Sequence, residues 1–391
     1  MNRRQFLQTG IAASALLAMP SIARAQGAPG IADDEILLGG VMPITGPVRL
    51  ASLPYEQGIR TFFDLTNEKG GINGRKIAWT IEDDAYQPSR AVAGAKKLIE
   101  RDEVFMIFGQ HGTATGFSIA PYLDQVQVPM IMTTAGPDPL RKYTFGGLSS
   151  YSSLVHRLTE HMVKRPEFKK IGFLYQNDDV GAVSRIGLNK ALKEAGVELS
   201  ADVGFERGTQ EFSTQILALR DAGVDTVIVM STGPIFASCV KTGNGIGFTP
   251  TWATYSVASQ SAVQELLGAS IDGIYYASEL DSPFSEEKAV VEFRDQLAKY
   301  QPEAKADWGS MLGYAHARLL VSILEGLGDD LTRDGVVQAL EAAQAVEVGT
   351  MAPMGFSAEN HNGAKSVRIF KYEGVKPAVQ SDWLDVASFK A

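Results

Sequence analysis

The run Val104-Phe105-Met106-Ile107-Phe108-Gly109-Gln110-His111-Gly112-Thr113 constrains this chain more than any other stretch. It opens as an unbroken apolar run with no alternation, which reads as a strand buried on both faces inside a parallel sheet. The run breaks at Gly-Gln-His-Gly-Thr, and apolar residues return at helical spacing from Thr115 to Asp124. Strand, tight turn and helix in that order put free backbone N–H groups and threonine hydroxyls at a strand's carboxyl edge. Open α/β sheets bind small ligands at that edge, and a helix N-terminus there favours anions.

The rest of the chain repeats this plan. Strands are expected over 35–42, 76–82, 104–108 and 129–132, with a one-sided helix over 55–66, another started by Pro88, and the one after Thr113. This βαβαβαβ order demands right-handed crossovers and a parallel sheet with helices on both faces. The pattern then restarts: helix 151–164, strand 170–175, helix 180–195 closed by Gly196, strand 197–203, strand 225–230 ended by Ser231-Thr232-Gly233-Pro234, strand 251–254 and strand 273–277. Three helices over 286–300, 307–326 and 332–343 and one late strand, 366–372, follow. One strand cannot build a third domain, so these elements must pack back onto the first two units. The chain is therefore expected to pass between lobes near residues 148, 278 and 350. That gives a first lobe of 31–148 plus 279–350 and a second of 149–278 plus 351–391.

Composition bounds the partners. With 391 residues, two domains are the natural prior. The formal charge of −9 argues against a nucleic-acid or anionic-membrane partner. Cys239 is the single cysteine, so no intrachain disulfide and no cysteine-based metal cluster can form, and its apolar helical context reads as core. At the N-terminus, Arg3-Arg4-Gln5-Phe6-Leu7, an apolar run over 11–19 too short to span a bilayer, and Ala23-Arg24-Ala25 fall in the order of a secretory leader of twin-arginine character. The mature protein is then expected to be soluble and exported to the periplasm.

No catalytic constellation survives inspection. Ser285-Glu286-Glu287-Lys288 and Lys241-Thr242-Gly243 match serine β-lactamase motifs in the wrong order, and Ser285 reads as a helix cap. Gly243-Asn244-Gly245-Ile246-Gly247 follows a helix and leads to a strand, the reverse of a dinucleotide site. Asp83-Asp84 reads as capping the turn before Pro88. No metal site and no cofactor are expected.

Specific blocks carry a family resemblance. Ile36-Leu37-Leu38-Gly39-Gly40 with Thr45-Gly46-Pro47, the stretch Asn67-Glu68-Lys69-Gly70-Gly71-Ile72-Asn73-Gly74-Arg75, and Asn177-Asp178-Asp179-Val180-Gly181 occur in order along the mature chain. Together they resemble the periplasmic substrate-binding proteins of branched-chain-amino-acid-type ABC transporters. The resemblance implies two Rossmann-like lobes joined by three crossovers, capture of a small molecule between them, and delivery to a membrane permease by a monomer. It places ligand contacts at Thr113, Gln110 and His111, at the backbone of Ala135 and Gly136, and at Tyr151, Val180, Thr232, Tyr255 and Trp308. Thr113 can also read as a plain helix cap.

The departures from the family pattern concern the ligand. Amino-acid binders often carry an aromatic residue where this chain has Ala51, a tyrosine where it has Val180, and an acid for the ligand ammonium where it has Tyr255. A buried ammonium without a carboxylate partner is very costly. The expectation is an amine-free acid, aromatic or extended, with Trp308 and Tyr314 available to stack on it. Asp178, Asp179 and Glu279 are the acids that could restore ammonium binding. The competing readings are a hydrophobic amino acid as ligand, a sensor on the same fold, and an exported enzyme.

Overall fold

The computed structural model describes residues 28–46, 48–134, 140–329 and 331–390. The leader read at 1–25 and the loop residues Ala135 and Gly136 lie outside the described residues.

The first sheet takes β1 (Glu35–Met42), α1 (Arg49–Glu68), β2 (Lys76–Asp83), α2 (Pro88–Glu100), β3 (Ile107–Phe108), α3 (Thr113–Val126), β4 (Met130–Thr133) and β5 (Thr144–Gly146). Its strands run parallel in the order β2-β1-β3-β4-β5. Next come α4 (Tyr151–Val163), β6 (Ile171–Gln176), α5 (Asp179–Ala195), β7 (Ala201–Phe205), α6 (Ser213–Asp221), β8 (Thr226–Met230), α7 (Gly233–Gly245), β9 (Thr251–Tyr255), α8 (Ser261–Leu267) and β10 (Tyr275–Ser278). The helices α9 (Lys288–Tyr300), α10 (Trp308–Leu327) and α11 (Arg333–Ala342) precede β11 (Ser366–Glu373), β12 (Lys376–Val379) and β13 (Leu384–Asp385). The second sheet runs β12-β11-β10-β9-β8-β6-β7, parallel from β10 to β7, with β11 and β12 antiparallel and β13 paired to β11.

Each sheet is buried on both faces, as apolar strands without alternation require. One core of the first sheet gathers Ile36, Leu38, Phe105, Phe108 and Phe145, and the opposite face gathers Val41, Ile107, Ile119 and Met130. The second sheet likewise has two clusters, one around Val227, Val229 and Tyr276 and one around Phe173, Ile228 and Ile369. The late helices return to the first sheet: Phe293, Leu297, Met311, Leu320 and Val336 belong to its core. Met351, Met354, Phe356 and Ala364 belong to it too, and the chain joins the second sheet's core at Val367. α10 crosses α1 at backbone distance. A Cβ on Gly58 would lie 2.0 Å from the Ser310 carbonyl, and one on Gly313 would lie 2.1 Å from that of Tyr55. Only glycine permits that approach.

Local differences from the sequence reading have physical causes. α1 begins at Arg49, so Pro54 lies inside it rather than before it. The apolar run 104–108 pairs as a strand only at Ile107–Phe108, although Phe105 still donates its N–H to Leu37 at 2.8 Å. β7 starts at Ala201 because the residues before it close α5: Gly196 is left-handed and Val197 donates to Leu192 at 2.9 Å, a Schellman ending. Among the described residues no helix is long and apolar enough to cross a membrane.

Candidate ligand-binding cleft

A cleft lies between the carboxyl edges of the two parallel sheets, and helix N-termini converge on it. Residues at the starts of α1, α3 and α10 from the first sheet's side (Leu50, Ala51, Thr113, Trp308) and of α4, α5 and α7 from the second's (Tyr151, Val180, Gly233) line it. The first N–H groups of each helix lack intrahelical partners, and their dipoles make this end favourable for negative charge. No described lining residue carries a formal charge. The cavity is about 90 Å³ as it stands.

The walls are aromatic with hydroxyl tips. Thr113 Oγ1 lies 3.4 Å from Tyr151 Oη, joining the two sides. The Tyr151 ring meets Tyr255 edge-on at 5.6 Å, and Tyr255 Oη donates to the Ser231 carbonyl at 3.0 Å. Burial raises the pKa of both phenols, so they remain neutral donors. On the other side stand Tyr86, His111 and Trp308. The His111 ring tilts against Tyr55 at 5.3 Å. Burial lowers its pKa to about 4, so the imidazole is neutral near pH 7, and its Nδ1 and the Trp308 Nε1 are buried without a protein partner.

The loop that opens α3 is built from behind. Gly112 is the residue before the helix, with φ of 114°, so Thr113 is its first helical residue rather than its cap. Gly112 donates its N–H to Thr134 Oγ1 at 2.9 Å. Gln110 is fully buried and does not reach the cleft wall. Its Nε2 donates to the Gly112 carbonyl and to Thr115 Oγ1, both at 2.9 Å, and its Oε1 accepts from Thr133 Oγ1 at 2.5 Å. It shapes the loop that presents its neighbours.

The structure brings His111, Thr113, Tyr151, Val180, Thr232, Tyr255 and Trp308 to one cavity. Tyr314 points elsewhere, packed edge-on against Phe62 at 5.0 Å and against Phe293 at 5.2 Å. None of the three acids that could receive an ammonium lines the cleft. Asp178 caps α5 by accepting the Val180 N–H at 3.0 Å, and Asp179 is exposed. Glu279 accepts the Ser149 hydroxyl at 2.7 Å where the crossovers run. Sequence reasoning missed Tyr86, Gln176, Ser231 and Gln260. Gln176 and Ser231 follow from the rule that found Thr113, since they stand where β6 and β8 end. Among the described residues no group of three or more His, Cys, Asp or Glu side chains could hold a metal ion.

Comparison with known proteins agrees with this architecture. The family model described as "Periplasmic binding protein" matches residues 35–376. The "Leu/Ile/Val-binding protein homolog 7" of Brucella abortus is 22% identical over 362 residues, 88% of this chain and 90% of that protein. The crystal structure of a possible leucine/isoleucine/valine-binding protein from Rhodopirellula baltica superposes with a TM-score of 0.82 at 22% identity, covering 91% of this chain and 98% of that one. A fatty acid ABC transporter substrate-binding protein from Thermomonospora curvata also gives a TM-score of 0.82, at 19% identity over 93% of this chain and 96% of that one. The fold is that of the two-lobed, type I binding proteins. The chain belongs to the periplasmic binding protein family.

Proposed function

We propose that this protein is the exported solute-capturing component of an ABC importer of the branched-chain-amino-acid type, and that its ligand is an amine-free carboxylic acid with an aromatic or extended apolar body. One observation carries the ligand class: the described walls of the cleft hold no acid, and the family resemblance read from the sequence puts Tyr255 where the amino-acid binders place theirs. An ammonium would be desolvated there without a counter-charge, which is very costly. A carboxylate would meet converging helix N-termini and the Thr113 and Tyr151 hydroxyls. The structural relatives span both kinds: one is described as a possible leucine/isoleucine/valine-binding protein and another as the substrate-binding protein of a fatty acid ABC transporter.

In this reading the lobes close on the solute, a permease receives it, and no bond is made or broken. The core packing supports a division into 28–148 plus 279–364 and 149–278 plus 365–390, with the third crossover beside Val367. Both walls come from one chain, so a monomer suffices.

The test is a thermal-shift panel on the mature protein with leucine, valine, benzoate, phenylacetate, octanoate and succinate. A ligand at a hundred times its Kd stabilises the folded state by about 2.7 kcal/mol. Benzoate, phenylacetate or octanoate is expected to raise the melting temperature, and leucine and valine are expected to leave it unchanged. Strong stabilisation by leucine would overturn the ligand class and favour the amino-acid reading.

A further inference from the structure

We propose that Tyr86 and Arg207 form a latch that favours the closed arrangement of the lobes, at the side of the cleft farthest from the crossovers; this rests on the two-lobed capture proposed above. Topology places the pair. β2 is the outer strand of the first sheet, and the chain leaves that sheet from β5 at its opposite edge. β7 is the outer strand of the second sheet, and the crossovers meet that sheet at β10 and β11 toward its other side. Tyr86 sits in the loop after β2 and Arg207 in the loop after β7. A swing about the crossovers moves these two loops apart first and farthest.

The contact itself is specific. The Arg207 guanidinium carbon lies 5.4 Å from the centre of the Tyr86 ring, within cation–π range. Arg207 is oriented by Asp178 at 3.1 Å, the same carboxylate that caps α5 at the cleft. Tyr86 is held with equal care. Ala85 and Tyr86 both take left-handed backbone, φ 46° and 61°, which non-glycine residues adopt only with outside support. Asp83 Oδ1 accepts the Ala85 N–H at 3.0 Å and Asp84 Oδ1 accepts the Tyr86 N–H at 2.7 Å. The ring lies against Gly112, where a Cβ would come within 2.9 Å of Tyr86 Cε2. Asx turns of this kind are common in loops, and here they and the Gly112 contact hold one particular side chain. They fix one ring where it both lines the cavity and meets the opposite lobe.

The latch is tested by small-angle scattering of the mature protein with no solute added. Arg207→Ala and Tyr86→Ala are each expected to shift the radius of gyration upward, and the double variant no further than either single. Tyr86→Phe, which keeps the ring face, is expected to match wild type. Because Tyr86→Ala could disturb its strained turn, the exposed Arg207→Ala is decisive, with circular dichroism as the check on folding. In a second measurement, the Tyr86→Cys/Arg207→Cys pair is expected to be bridged by a short bismaleimide, read as one added cross-linker mass per chain. Scattering of Arg207→Ala identical to wild type, or failure of the cysteine pair to bridge, overturns the latch. Neither measurement uses a ligand, so a failed thermal-shift panel sinks the ligand class and leaves the latch to stand or fall by itself.

Discussion

The Asp307 carboxylate caps two helices at once, one on each side of the cleft. Its Oδ1 accepts the Ser310 N–H at 3.1 Å, opening α10, and its Oδ2 accepts the Ser261 N–H at 3.1 Å and hydroxyl at 2.9 Å, opening α8. The side chain is buried, and burial raises its pKa against the pull of these donors. Asp307→Ala is therefore expected to lower stability by about 1–3 kcal/mol, since it orphans donors in two lobes. Asp307→Asn keeps a good cap for α10 but loses an acceptor toward Ser261, so it should cost less. Urea denaturation checks both variants: a purely local cap on α10 would leave Asp307→Asn level with wild type, whereas the double cap makes it measurably less stable.

Thr113 is expected to contribute to affinity rather than to folding. Its hydroxyl meets Tyr151 across the cleft at 3.4 Å, and the cap position belongs to Gly112. Thr113→Val should weaken whichever acid the panel finds by about 1–3 kcal/mol in isothermal titration, with little change in melting temperature of the unliganded protein. Unchanged affinity would remove Thr113 from the site.

Gly112 should not tolerate a side chain. Its φ of 114° strains any L-residue, and a Cβ would lie 2.8 Å from Thr115 Oγ1. Gly112→Ala is expected to destabilise by about 1–3 kcal/mol and to displace the Tyr86 ring. Chemical denaturation reads the first effect, and the scattering experiment on the lobes reads the second.

Acid should weaken the protein through a buried histidine. His316 lies 2.8 Å from Tyr55 Oη through Nδ1, and burial lowers its pKa to about 3. The unfolded chain binds a proton near pH 6.5, so it holds more protons than the folded chain below that value. The contribution of His316 is full above pH 6.5 and is lost as pH falls toward 3. Its size is on the order of 5 kcal/mol across that window. The stability of His316→Gln should fall less steeply than wild type between pH 6.5 and 4.5. Parallel slopes would show that His316 does not titrate on unfolding in that range.

Much of this architecture was legible because burial on both faces leaves an unmistakable pattern. The runs ending at Met42, Phe108, Met132 and Met230 announced parallel strands, and Gly196 announced where α5 stops. The short strands escaped. β5 spans Thr144–Gly146 and carries too little periodicity to stand out, and Lys376–Val379 is a four-residue edge strand with Pro377 in it. At the cleft, Thr113 and Thr232 were legible because hydroxyls at strand ends are local signals. Gln110 was misleading because its polarity is spent on its own loop and on Thr133 at the end of β4, a fact of three dimensions. Tyr86 was invisible because its place depends on two consecutive left-handed residues that no glycine marks.

Cys239 sits fully buried in α7, and burial pushes its thiol up to about 12. At neutral pH it is inert toward maleimide dyes. The native sequence thus offers a chemically silent background for labelling, and a single cysteine introduced on either lobe becomes a unique handle. Paired fluorophores on the two lobes could follow opening and closing in real time without first deleting a native residue.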